Sequence, residues 1–318
     1  MSALWRENRS TDRTRARNSA ALKGYDPING TYSSDDTRGV MELTLSARVQ
    51  TAALKAMNGR KGTVAVYNYK NGQILCAVST PTYDPDNVPN IAGDTTGAWE
   101  GVYLNRFTQV TYPPGSIFKI VTTAAALESV PGIEDMTFTC ESVYEIQGGK
   151  VTCERSHGQV NLQNALAQSC NCAYAQIAQL VGSEKLAAYA EQFGIMDSIS
   201  FDGITTAAGN FDLTGADKLG LAWSSIGQYT DMVNPCQYMT FMGSIAGGGK
   251  AAKPYLVEKV TSGSEVTYQA EPEKMDAVMD EELAAVLTEY LRNNVQTVYG
   301  ADNFPGLRVC AKSGTSEL

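Results

Sequence analysis

The sequence predicts an α/β (α+β) fold whose sheet is assembled from distant parts of the chain. Three observations predict it. Two β-rich runs meet at Lys70-Asn71-Gly72, the middle of the chain repeats apolar residues at helical spacing, and strand-like runs return near the end. In chain order, the stretch from Ser46 to Met57 has the apolar period of a helix, with Ser46 suited to start it and Gly59 to end it. Residues 63–69 and 73–79 are two strands, because Asn-Gly between β-rich runs is a strong hairpin signal. A Pro/Asp/Asn-rich loop follows to residue 90, and Pro113 and Pro114 set φ for a helix from Ser116 to about Glu128. Two short helical runs occupy 161–182, and Ser183 is placed as the cap of a further helix ending at Phe193-Gly194. Gly247-Gly248-Gly249 turns the chain into a strand over 255–261. Asp280 to Asn294 is an amphipathic helix with acid at its positive end, and 307–318 reads as a last strand.

A chain of 318 residues buries a substantial core, and with 43% hydrophobic and 19% charged residues it is neither disordered nor fibrous. The net charge of -9 argues against a general nucleic-acid or anionic-membrane binder, which needs a basic surface. No apolar run reaches the length of a membrane span, and no signal-peptide core follows Met1. Residues 1–40 open with Arg6, Arg9, Arg13, Arg15 and Arg17; they are expected to be a leader or the remnant of an upstream segment, with the domain running from 41 to 318. Of the seven cysteines, Cys76 and Cys310 sit in β-like apolar runs and are expected as buried free thiols.

The chemistry concentrates in three short motifs. Tyr112-Pro-Pro-Gly-Ser-Ile-Phe-Lys puts the Ser116 hydroxyl and the Lys119 amine one helical turn apart, near the positive end of a helix. This is the one Ser-x-x-Lys of the chain, and alone it matches a capped helix with an exposed lysine equally well. Ser169-Cys170-Asn171 is the one Ser-x-Asn, and Lys312-Ser313-Gly314-Thr315 follows near the end. Three unique matches in this fixed order are hard to produce by chance.

At these residues the sequence resembles the transpeptidase domain of class B penicillin-binding proteins. The resemblance extends to Met41-Glu-Leu-Thr-Leu with Gln50, Ser79-Thr-Pro-Thr-Tyr-Asp-Pro-Asp, Asn105-Arg106, and Ile226-Gly227-Gln228 followed by Pro235. It implies an antiparallel sheet with flanking helices plus an all-helical subdomain, and a peptidoglycan D,D-transpeptidase that works through a serine acyl-enzyme. Ser116 would be the nucleophile and Lys119 its base, effective when desolvation or the Lys312 charge lowers its pKa. Ser169 would relay the proton, and Asn171 would bind the substrate backbone. Lys312, Ser313, Gly314 and Thr315 would hold the terminal carboxylate, with Ser116 and Thr315 N–H groups forming an oxyanion hole. Ser313 stands where many relatives have threonine. The implied partners are D-Ala-D-Ala stem peptides, β-lactams and a glycan polymerase at the outer face of the cytoplasmic membrane, with no nucleic acid. The chemistry requires no cofactor.

The other activities on this scaffold are D,D-carboxypeptidase or β-lactamase hydrolysis and an inactive or β-lactam-sensing domain. A class A β-lactamase would carry Glu-x-x-x-Asn soon after Ser-x-Asn, whereas the one match here, Glu289 to Asn293, lies far downstream and reads as a solvated helix face. The resemblance also implies two strands and a helix after Lys312-Ser313-Gly314-Thr315, so the domain reads as incomplete at its C-terminus. Tyr229 stands where relatives often have glycine.

Cys140, Cys153, His157 and Cys170 form Cys-x12-Cys-x3-His-x12-Cys, which includes the single histidine of the chain. Three thiolates and an imidazole suit a structural tetrahedral zinc, with Cys172 as the reserve ligand. The resemblance adds weight, since some class B members carry a zinc at this place. The alternatives are a Cys140–Cys153 disulfide or free thiols.

Overall fold

The computed structural model describes residues 39–316 and, before them, the backbone strands Arg15–Asn18, Tyr25–Asp26 and Thr31–Tyr32. The chain divides into two compact units: Met1–Val110 with Ser200–Thr205 and Ala252–Met275, and Thr111–Ile199 with Thr206–Ala251 and Asp276–Leu318.

The first unit contains, in chain order, β1 (Arg15–Asn18), β2 (Gly39–Leu43), α1 (Ala47–Met57), β3 (Gly62–Tyr67), β4 (Ile74–Thr80), β5 (Val257–Ser262) and β6 (Glu265–Gln269). An antiparallel sheet runs β1-β2-β5-β6, with Met41 opposite Val260, so the predicted pairing of distant segments is present. Of the expected leader (1–40), Gly39 and Val40 open β2 and Arg15–Asn18 pairs with it; apart from the other two short strands, the rest lies outside the described residues. The hairpin forms as predicted, with Val64 opposite Val78. In β4 burial alternates residue by residue, which puts Ile74, Cys76 and Val78 on one face. Cys76 and Val78 pack with Ala53 of α1. Ser46 caps α1 by accepting from the Val49 N–H, and left-handed Asn58 closes it one residue before Gly59.

The second unit holds α2 (Lys119–Ser129), α3 (Leu162–Ala167), α4 (Asn171–Val181), α5 (Ser183–Gln192), α6 (Lys218–Ser224), α7 (Pro235–Ala246) and α8 (Glu281–Asn294). Two small β pairs lie among them: Phe138–Cys140 with Gly158–Val160, and Val143–Ile146 with Gly149–Thr152. Helix α2 is buried continuously from Lys119 to Ala126, as an apolar helix is when it forms the centre of a bundle. Alanines at 124, 125, 126, 173, 175 and 178 keep α2 and α4 slim inside that core. Asp280 caps α8 through the Leu283 N–H, and Glu281, Glu282 and Arg292 match its dipole.

Three expectations fail here. Ser183 is the first residue of α5 and makes no capping bond; Gly182 holds the cap position. Residues 307–316 join no ladder among the described residues, because their backbone groups bond to α8 instead (below). Cys310 on this segment is exposed, whereas Cys76 is buried as expected. Helices α6 and α7 were not anticipated, although Asn234-Pro235 is a legible start signal: Asn234 accepts from the Cys236 N–H and Pro235 fills the first turn. Among the described residues no helix is long and apolar enough to cross a membrane.

Candidate active site

Ser116 does not sit in the α-helix itself. Gly115–Phe118 is a 3₁₀ turn that runs into α2. Side chains three apart eclipse one another in such a turn, and Lys119 Nζ lies 2.9 Å from Ser116 Oγ. The turn is fastened on several sides. The Tyr238 hydroxyl donates to the Ile117 carbonyl at 2.8 Å, and Phe118 stacks on Phe211 at 5.0 Å. Gly115 N–H donates to the Gly227 carbonyl at 2.9 Å. Both glycines have positive φ, +55° and +77°, and a Cβ on Gly227 would come within 2.3 Å of the Gly115 carbonyl oxygen. Gly227→Ala should therefore displace the serine turn. The combined left-handed and steric cost is about 2–4 kcal/mol, read as a lower unfolding midpoint together with slower acylation of Ser116.

Lys119 has no exposed surface. Its Nζ meets four oxygens: Ser116 Oγ, Ser169 Oγ at 3.0 Å, Ser169 O at 2.8 Å and Asn171 Oδ1 at 2.6 Å. An ammonium has three N–H groups for these four acceptors, while a neutral amine has two and a lone pair free to take the Ser116 proton. Burial, and after it the charge of Lys312, hold Lys119 well below the ordinary lysine pKa, with Cys153, Cys170 and Cys172 pulling the other way. Ser169 joins the two lysines, since Lys312 Nζ lies 2.9 Å from the same Ser169 Oγ. Burial pushes Lys312 down to about 8. Ser169 itself is held at φ +54°, unusual for a residue with a side chain and typical of functional sites. Asn171, at the start of α4, gives its Nδ2 to the Thr152 carbonyl at 2.9 Å.

The segment carrying Lys312 to Thr315 is held along its length by α8 and the turn after it. Arg292 donates to the Val309 carbonyl, Ala311 N–H donates to Leu291 O, and Asn294 Nδ2 donates to Ala311 O. Ser313 N–H donates to the Tyr299 hydroxyl oxygen. Alternate residues thus turn the same edge toward the helix, the period of an extended chain. Sequence reasoning missed Tyr299. Gly314 lies against the serine turn, where a Cβ would be 3.0 Å from Ile117 Cγ2. Ser116, Ser169, Asn171, Ser313 and Thr315 open onto one cleft of about 600 Å³, whose wall also carries Cys153, Glu154, Arg155 and His157. Glu289 and Asn293 are not among its lining residues; Glu289 faces a separate depression with Glu281 and Arg292.

Beside Ser169 the four expected metal donors converge. The sulfur atoms of Cys140, Cys153 and Cys170 and a ring nitrogen of His157 lie within 4.8 Å of one another. None of the described cysteines is in a disulfide. Cys140 Sγ is 3.3 Å from His157 Nδ1, and Cys153 Sγ is 3.9 Å from Cys170 Sγ. A tetrahedral ion with bonds of about 2.3 Å to sulfur separates its sulfurs by about 3.8 Å. Backbone N–H groups of Cys172 and Ala173 donate to the Cys153 and Cys170 sulfurs. The Cys153–Cys170 contact, with backbone help from Cys172, lowers the Cys153 thiol and raises the Cys170 thiol. Cys172 is not a fifth donor; its thiol faces the Val151 carbonyl.

Comparison with known proteins places this geometry. The family model described as the penicillin binding protein transpeptidase domain matches residues 62–318. Peptidoglycan D,D-transpeptidase PbpA of Mycolicibacterium smegmatis is 32% identical over 309 residues, covering 89% of this chain and 62% of that protein. Stage V sporulation protein D of Bacillus subtilis is 27% identical over 297 residues, covering 87% of this chain and 44% of that protein. Among solved structures, penicillin-binding protein A from M. tuberculosis as a ceftriaxone acyl-enzyme complex superposes with a TM-score of 0.79 at 26% identity, covering 88% of this chain and 67% of that one. The D,D-transpeptidase domain of a peptidoglycan glycosyltransferase from Eggerthella lenta gives 0.77 at 28% identity, covering 87% and 72%.

Proposed function

The chain belongs to the penicillin-binding protein transpeptidase domain family, and from that premise we propose that it is a peptidoglycan D,D-transpeptidase acting through an acyl-enzyme on Ser116. The observation that carries this is the buried Lys119 amine, 2.9 Å from Ser116 Oγ and held below the ordinary lysine pKa. Neutral Lys119 takes the Ser116 proton as Oγ attacks the carbonyl of the penultimate D-alanine. Ser116 and Thr315 N–H groups receive the developing oxyanion, a role in which losing one donor costs about 3–4 kcal/mol. The C–N bond breaks and the terminal D-alanine leaves, its nitrogen taking the proton through Ser169, which bonds both Lys119 and Lys312. The amine of a second stem peptide then attacks the ester by the reverse relay and releases Ser116.

Lys312, Ser313 and Thr315 hold the terminal carboxylate, against Gly314, and the second N–H of Asn171 Nδ2 reaches the substrate backbone. β-Lactams, which carry an equivalent amide and carboxylate, acylate the same serine. The site of action is outside the cytoplasm, on glycan strands supplied by a polymerase partner. Cys140, Cys153, His157 and Cys170 fit one zinc, which when bound would be a structural crosslink between the Cys-rich loop and α4. Because Cys170 lies between Ser169 and Asn171 in the sequence, such a crosslink would steady both. Mass spectrometry after exposure to a penicillin should find one adduct, on the peptide containing Ser116. An unmodified Ser116 would end this reading.

A further inference from the structure

We propose that Tyr299 is a positioning residue for carboxylate recognition: its phenol orders the Ser313 hydroxyl so that this hydroxyl donates into the cleft toward the substrate carboxylate. This deepens the acyl-enzyme reading above and rests on it. Ser313 N–H donates to the Tyr299 oxygen at 3.0 Å, so one phenol lone pair is engaged. Tyr299 Oη also lies 3.0 Å from Ser313 Oγ. A phenol is more acidic than an alkyl hydroxyl and is the better donor of the pair. With the proton running from Tyr299 to Ser313 Oγ, the serine's own proton is left to point away, toward the cleft that Ser313 lines with Ser116 and Thr315.

Two further observations fit this role. Tyr299 ends a π turn, Val295–Tyr299, that continues α8 and stops at left-handed Gly300. Such turns hold one more residue than an α turn and recur at functional sites. Residue 313 is a serine, which lacks the branched Cβ that would restrict χ1. Its hydroxyl needs an outside partner to fix its direction, and Tyr299 is that partner.

The test compares acylation by a penicillin and by its methyl ester in the wild type, Tyr299→Phe, Ser313→Ala and the double variant. Wild type should prefer the free acid. Tyr299→Phe should lose about tenfold in acylation efficiency toward the acid, mainly in the binding constant, while the ester rate stays within about twofold. Ser313→Ala should show the same loss, and the double variant no further loss. A Tyr299→Phe protein that keeps the acid preference, or that loses equally on both compounds, overturns the proposal. If Tyr299→Phe does not fold, fluorotyrosine at 299 replaces it: its fluorine resonance should shift on binding the acid but not the ester, and an identical response to both overturns the proposal. Failure of the wild type to be acylated by either compound overturns the acyl-enzyme reading itself, a result distinct from these.

Discussion

Lys119→Met should slow acylation of Ser116 by roughly 10³-fold, within the range that a positioned general base contributes. Methionine keeps the length and the apolar stem of the side chain and removes the nitrogen, so the loss reports the amine rather than the packing of α2. It also strips a donor from Ser169 and Asn171, so the melting temperature must be recorded beside the rate. The wild-type pH profile checks the same assignment. Both lysines have depressed pKa values, so each is charged below its folded value and neutral above it. Burial, and after it the charge of Lys312, both favour the neutral form of Lys119. Acylation should rise with pH as Lys119 becomes neutral, then fall as Lys312 loses its charge near pH 8 and releases the carboxylate. Stability follows the same sign. The cost of burying the two ammonium groups is full at acid pH and is relieved as pH climbs from the folded values toward 10.5, where unfolded lysine titrates. Stopped-flow acylation across pH decides the matter, and a flat profile would remove Lys119 from the role of base.

Removing the metal is expected to have the second large effect. Purified protein should contain one zinc per chain, bound by Cys140, Cys153, His157 and Cys170. If zinc is present at about 1,000 times its dissociation constant, its loss costs about 4 kcal/mol, or roughly 6 °C in unfolding midpoint. Cys153→Ser should reproduce that shift and leave no further effect for a chelator to produce. Acylation should fall by about 10–100-fold with either treatment, because Cys170 lies between Ser169 and Asn171. Reduced wild-type protein with no bound zinc, or a midpoint indifferent to chelation, would refute the metal and leave three packed thiols and a packed imidazole.

The three motifs were legible because each compresses its geometry into a few residues: a 3₁₀ turn aligns Ser116 with Lys119 whatever surrounds it. The Cys/His set was legible through residue type, since three thiols and the chain's one histidine have few other reasons to recur together. Helix α1, the β3–β4 hairpin and α8 announced themselves through Ser46, Asn71-Gly72 and Asp280. What failed depended on neighbours. Residues 307–316 have strand-like composition, but a strand is decided by what lies beside it, and here α8 takes that place. Cys310 is exposed for the same reason. The mutual contact of Gly115 and Gly227, and the reach of Tyr299 to Ser313, join residues whose spacing carries no pattern.

The hold of α8 on alternate residues of the 309–313 segment makes substrate recognition a problem of alignment. Leu291, Arg292, Asn294 and Tyr299 act as fixed marks against which the chain edge is read. A slip of one position would exchange the two edges. Lys312 would turn toward the helix, Ser313 would lose the phenol, and Ser169 would keep only Lys119. On the acyl-enzyme reading proposed above, there is therefore no graded way to misplace Lys312 and Ser313: the segment is either in step with the helix or out of service.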